Sequence, residues 1–214
     1  MPASSPRPRG RPAGGGNTAE QARTALMDAA EELILERGFQ ASTMESIAAR
    51  AGYSRAAIYQ HFPNRQKLLE ALVRRKTGVH QAQILGRLPE TSDLATLLVE
   101  SLVIVSTELI HDPLLMTLSE QTEDGTIAHL IANASGLPEQ IEQLVAAIAE
   151  HAGAVFRPGL APGDIATFLM TTALTLLLGV VPGSDTPDVA RRYLQTFVMP
   201  AIFADPPAPG PVFG

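Results

Sequence analysis

The chain contains no cysteine. Disulfide staples and thiolate metal sites are therefore excluded, and a reducing cytoplasm is the expected setting. No secretory signal is predicted, because the basic N-terminus has no apolar segment behind it. No apolar run reaches the length expected of a membrane span; the longest, from Phe168 to Val181, is interrupted by threonines and reads as a buried helix. From residue 91 onward no alternating apolar and polar run appears, so strands are not expected there. Nucleophile-elbow and phosphate-loop motifs are missing too, which weighs against an enzyme. Lysine is scarce, two against fourteen arginines, and with abundant Ala, Gly and Pro this bias points to a GC-rich genome.

What is present is length and an uneven charge. At 214 residues and 45% hydrophobic content the chain can bury a substantial core. Its net charge of −6 argues against a nucleic-acid partner until the charges are located. Residues 1–76 hold twelve Lys/Arg against seven acids, a net of +5, whereas the remaining 138 residues hold four against fifteen, a net of −11. A basic N-terminal third on an acidic body is the electrostatic footprint of a DNA reader joined to a body that stays off the DNA.

The stretch from Phe39 to Leu72 carries the strongest pattern. Gly38 follows an apolar-periodic run, Ala22, Leu26, Ala29, Ala30, Leu33 and Ile34, that Thr18 caps, and it is placed to stop that first helix. Ser42 or Thr43 caps a second helix, Gly52 breaks it, and Ser54 caps a third that runs to Phe62. Small Ala48 and Ala51 suit the crossing of the two helices; Ile47, Ile58 and Phe62 supply bulk beneath it. Two short helices around a glycine turn form a helix-turn-helix, with the first helix packed across the pair. The third helix keeps a polar and small face, Ser54, Arg55, Ala56, Ala57, Tyr59, Gln60 and His61, suited to phosphates, base edges and close approach to a groove. Asn64 caps a fourth helix directed toward Leu85.

The segment Thr43-x-x-x-Ile47-Ala48-x-x-Ala51-Gly52-x-Ser54-x-x-x-Ile58-Tyr59-x-His61-Phe62-x-Asn64-Arg65-x-x-Leu68 resembles the signature of the TetR family of bacterial transcription regulators, over about fifty residues. Tyr53 stands where that family usually has a small aliphatic residue, Ala56 where Gly is common, and Arg65 where Lys usually opens the fourth helix. The resemblance implies an all-α protein: an N-terminal helix-turn-helix domain, a larger helical ligand-sensing and dimerisation domain, and repression until a small molecule binds, although some relatives activate. On this basis Thr43, Ser54, Arg55, Ala56, Ala57, Tyr59, His61, Arg65 and Lys67 are the expected DNA contacts. In the low-complexity arm, Arg9-Gly10-Arg11-Pro12 resembles the core of an AT-hook, so Arg9 and Arg11 are expected to enter a narrow A·T minor groove.

Helical patterns are predicted at Ser92 to Ile110, Pro113 to Gln121, Gly125 to Ala134, Pro138 to Phe156, Pro162 to Leu178 and Pro187 to Ala204, punctuated by Pro/Gly turns. The expected organisation is a disordered basic arm (1–17), a DNA-binding domain (18–76), a ligand-binding and dimerisation domain (77–204) and a disordered tail (205–214). Leu102, Ser106, His111, Met116, Glu120, Ile127 and His129 mix apolar lining with polar handles and are the expected effector pocket. The last two long helices are apolar over more than one face, which predicts a homodimer on a palindromic operator. No cofactor and no metal are expected. A helical metalloenzyme would need a second Glu-x-x-His beside Glu108-x-x-His111, and none exists; His80, His129 and His151 stand alone. A constitutive architectural DNA binder would not need the long second domain.

Overall fold

The computed structural model describes residues 18–90, 93–121, 126–134, 136–151, 155–208 and 210–212. Arg9 and Arg11 lie outside the described residues. The fold is helical: α1 (Ala19–Arg37), α2 (Met44–Arg50), α3 (Arg55–His61), α4 (Arg65–Leu85), α5 (Leu94–Thr107), α6 (Pro113–Gln121), α7 (Thr126–Ala134), α8 (Leu137–His151), α9 (Pro162–Leu177), α10 (Pro187–Tyr193) and α11 (Met199–Ile202). Among the described residues an isolated bridge between Phe156 and Phe203 is the only β-type pairing.

The first four helices start on side-chain caps within their own first turns. Thr18 accepts from the Gln21 N–H in a capping box, Thr43 from Ser46, Ser54 from Ala57 and Asn64 from Lys67. Ser42 is not the cap; its hydroxyl is buried and donates to the Gly38 carbonyl at 2.8 Å. Gly38 and Gly52 sit at φ 84° and 76°, where a side chain would be strained, so both turns need glycine.

Two hydrophobic clusters organise the rest. The first contains Leu26, Leu33, Ile47, Ile58, Phe62, Leu68 and Leu72 of α1–α4, and it continues without a break into Leu114, Leu118, Ile127, Leu130 and Met170 of α6, α7 and α9. The second gathers α5, α9, α10 and α11 around Val99, Leu102, Ile165, Leu176, Leu194 and Met199. Ile141 and Leu177 pack against both. Packing therefore does not change hands at residues 76/77: α1–α4 share their core with the body.

Three expectations are corrected here. The last predicted helix is interrupted by a π-helical turn, Leu194–Val198, where the Met199 N–H reaches back to the Leu194 carbonyl. Pro200 follows directly and cannot donate to an i−4 carbonyl, so the helix widens before it resumes. The C-terminal segment is docked: the Thr196 hydroxyl donates to the Gly210 carbonyl at 3.0 Å and accepts from its N–H at 3.1 Å, while Val212 is buried. The third concerns Leu94–His111, 18 residues at mean hydropathy 1.6, which is apolar and long enough by composition to cross a membrane. In the fold it is α5 plus a short 3₁₀ turn (Leu109–His111), with Val99, Leu102, Val103 and Ser106 buried and Glu100 paired with Arg191 at 2.7 Å.

Candidate nucleic-acid interface and effector cavity

The helix-turn-helix presents Thr43, Ser54, Arg55, Ala56 and Tyr59 exposed, with Ala57 and His61 half-buried. Arg55 is almost free in solvent, pairs with Glu45 at 3.0 Å and lies 5.9 Å from the Tyr59 ring. An exposed ion pair of this kind is weak, so Arg55 is readily exchanged onto another acceptor. The far end of α3 is clamped by Arg23, whose guanidinium sits 4.3 Å from the Phe62 ring and donates to the His61 carbonyl at 3.0 Å. Lys67 is exposed and pairs with Glu70 at 2.7 Å.

Arg65 departs from the expected phosphate contact. Its guanidinium stacks 3.8 Å over the Phe39 ring and donates to the Phe39 carbonyl. Burial lowers its pKa from the ordinary arginine value. The α1–α2 corner offers, at the reach of a planar cation, an aromatic face and a carbonyl that also accepts from the Ser42 N–H at 3.1 Å.

Much of the basic charge is likewise bound within the protein. Arg50 pairs with Glu36 at 2.5 Å. Arg75 meets Asp28 at 2.5 Å and Glu31 at 2.7 Å, and Lys76 bridges Glu31 at 3.2 Å and Asp112 at 3.1 Å. Asp112 is the hub. Its carboxylate accepts from the Leu114 and Leu115 N–H groups at the start of α6 and contacts His80 Nε2 at 3.0 Å. Burial by itself would raise the Asp112 pKa, but the hydrogen bonds from His80, the Leu115 N–H and Lys76 outweigh it and hold the carboxyl at about 2. His80, expected to stand alone, is thus buried against this carboxylate.

The other end of α6 reaches the DNA-binding helices directly. The Gln121 amide oxygen accepts from the Phe39 N–H at 2.6 Å, and the Gln40 side chain donates to the Gln121 carbonyl at 2.9 Å. One helix therefore touches α4 at its N-terminus and the α1–α2 corner at its C-terminus.

Beneath α6 lies a cavity of about 240 Å³ lined from α6, α7 and α9, including Met116, Glu120, Ile127, Leu174 and Leu177. A second compartment of about 140 Å³ opens beside it against α4, reaching Thr77, His80 and Gln81. Of the expected pocket residues, Met116, Glu120 and Ile127 come together there. Leu102 and Ser106 do not: Leu102 is packed in the second cluster and the buried Ser106 hydroxyl donates to the Val103 carbonyl at 2.9 Å, because both face inward on α5. His111 lines a separate cleft between α4 and the 3₁₀ turn. His129 is exposed and meets the Asn133 side chain. The α9 wall, Leu174 and Leu177, was concealed in the apolar run assigned to a dimer face. Gln121 carried no sequence signal, since its partner lies 82 residues away. Among the described residues, no three His, Asp or Glu side chains cluster in a way that could hold a metal ion.

A capped helix-turn-helix is joined to a helical body that holds a cavity beneath α6. Residues 26–72 match the TetR_N family model, bacterial regulatory proteins of the tetR family. The chain is 40% identical over 82 residues to the HTH-type transcriptional activator FasR of Mycolicibacterium smegmatis, a match covering 34% of this chain and 37% of FasR. The chain thus matches little more than a third of the length of FasR. An uncharacterized HTH-type transcriptional regulator of Mycobacterium tuberculosis is 29% identical over 188 residues, 86% of each chain. A TetR-family regulator from Pectobacterium atrosepticum shares the fold with TM-score 0.63 and 17% identity, over 88% of this chain and 97% of that one.

Proposed function

We propose that the protein is a cytoplasmic transcriptional repressor that binds a palindromic operator as a homodimer and leaves it when a small molecule fills the cavity under α6. It works by binding, with no reaction catalysed. The observation that carries this reading is the span of α6, which walls the cavity and ends at Asp112 on α4 and at Gln121 on the Phe39–Gln40 corner.

On DNA, α3 enters the major groove, with Arg55, Ala56 and Ala57 toward base edges and Thr43, Tyr59, His61 and Lys67 on phosphates. Ser54 fixes the start of α3. Arg9 and Arg11 add affinity from the adjacent minor groove. Two recognition helices must fit major grooves about 34 Å apart, so a small displacement of α4 and the α1–α2 corner spoils both half-sites together. An effector preference of about 2 to 3 kcal/mol for the displaced state loosens the complex roughly 30- to 150-fold.

The test begins with selection of bound DNA from a random pool and a gel shift on the selected site. Tyr59→Phe is expected to weaken all sequences about equally, and Arg55→Ala to change the ranking among them. The docking is wrong if neither substitution alters binding. Deleting residues 2–16 is expected to lower affinity and flatten its salt dependence; an unchanged salt slope would remove the arm from the interface.

A further inference from the structure

We infer that the cavity under α6 takes a lipophilic organic cation, an apolar body carrying one amine or quaternary nitrogen that lies against Glu120. This rests on the reading of the chain as an effector-responsive regulator and specifies the chemistry of its effector. The larger compartment is walled by Leu109, Leu115, Ile131, Leu174 and Leu177, an apolar lining suited to an apolar body. Its volume, about 240 Å³, lies a little below the lower end of drug-sized sites, roughly 300 Å³, and suits a small ligand.

The lining contains no lysine and no arginine, and Glu120 is its one carboxylate among the described residues. Glu120 also has no ion-pair partner among the described residues. A ligand seated against it strips water from an ionised group. A positive nitrogen compensates that loss, a hydroxyl does so only in part, and a second carboxylate adds repulsion. His80, at the rim of the smaller compartment, is already committed to Asp112, so it offers no competing site for an anion's charge. The field of the body acts in the same direction, because residues 77–214 carry a net −11 that concentrates cations near the entrance.

The test uses three probes with one skeleton: phenylbutylamine, phenylbutanol and phenylbutanoate. Each is titrated calorimetrically into the full-length protein and into Glu120→Gln, whose altered side chain is exposed and outside the core. The expected result is that the amine binds at least tenfold more tightly than the carboxylate in the wild type, with the alcohol between them. In Glu120→Gln that spread should collapse to threefold or less while the alcohol is nearly unchanged. The assignment is overturned if the carboxylate or the alcohol binds as tightly as the amine, if the preference survives in Glu120→Gln, or if none of the three binds at millimolar concentration. Operator occupancy is measured separately with the same amine. Charge-dependent binding that leaves occupancy unchanged supports the ligand class and refutes the effector role, so the two readings fail independently.

Discussion

A guanidinium stacked on Phe39 with an N–H on the Phe39 carbonyl cannot also point outward to a phosphate. Arg65 therefore holds the α1–α2 corner in place. Arg65→Ala is expected to cost about 2 kcal/mol of folding stability, from the lost cation–π contact and the lost charged hydrogen bond to the Phe39 carbonyl. Arg65→Lys should recover less than half, because an ammonium lacks the planar fork. Urea unfolding of both variants checks this; unchanged midpoints would return Arg65 to the DNA-contact set. Asp112 makes a comparable statement about pH. Its folded pKa, about 2, lies below the usual aspartate value of about 3.9, so its contribution is fully present above pH 5. It is lost as pH falls from about 5 toward 2. Discounted for partial exposure, that contribution is about 1 to 2 kcal/mol. Asp112→Asn should therefore show a shallower loss of stability across that window than the wild type, and parallel curves would refute the network's role.

Among the helices, α4 and α6 divide the labour of connection. The link between the first helices and the body does not run through α4 alone, since α6 reaches Phe39 and Gln40 without passing through it. Gly78, within α4, has no atom within 4 Å of where a Cβ would stand. Gly78→Ala should consequently raise stability by about 0.5 to 1 kcal/mol through helix propensity and reduced unfolded-state entropy. DNA affinity of the free protein should stay near normal while the effector response changes, because a stiffer α4 transmits displacement that glycine absorbs. Thermal unfolding together with an operator-release titration measures both; a lower midpoint would show that α4 is not regular at that position. Gly38 behaves oppositely. Its φ of 84° and the Gln121 oxygen 2.5 Å from an added Cβ make any side chain there a strain on the same junction.

For the assembled protein, exposed apolar side chains occur on several elements, the last ones included. Phe168, Leu178, Val180 and Phe197 are all exposed large hydrophobics, Phe197 at 54%. A second copy covering this face would leave two recognition helices related by a two-fold axis, as a palindromic site requires. Phe197→Arg should shift the protein from dimer to monomer in analytical ultracentrifugation and lower operator affinity by more than tenfold, with secondary structure retained. A dimer that persists unchanged would move the interface elsewhere. The acidic body and basic head remain consistent with this arrangement, although ion pairs within the head leave fewer free cations than the count of twelve suggests.

The sequence by itself determined the elements made by short-range chemistry. Helical period, the caps Thr18, Thr43, Ser54 and Asn64, and the positive-φ turns at Gly38 and Gly52 each depend on residues within a few positions, so the helix-turn-helix was legible to within a residue at its ends. Only the tertiary structure decided what those elements face. The inward turn of Arg65, the Asp112 hub, the Gln121 bridge and the α9 wall of the cavity each join residues from 26 to more than 80 positions apart. Such contacts depend on where helices cross, and a helix's apolar face looks the same in sequence whether it meets a core, a cavity or a second copy of the chain.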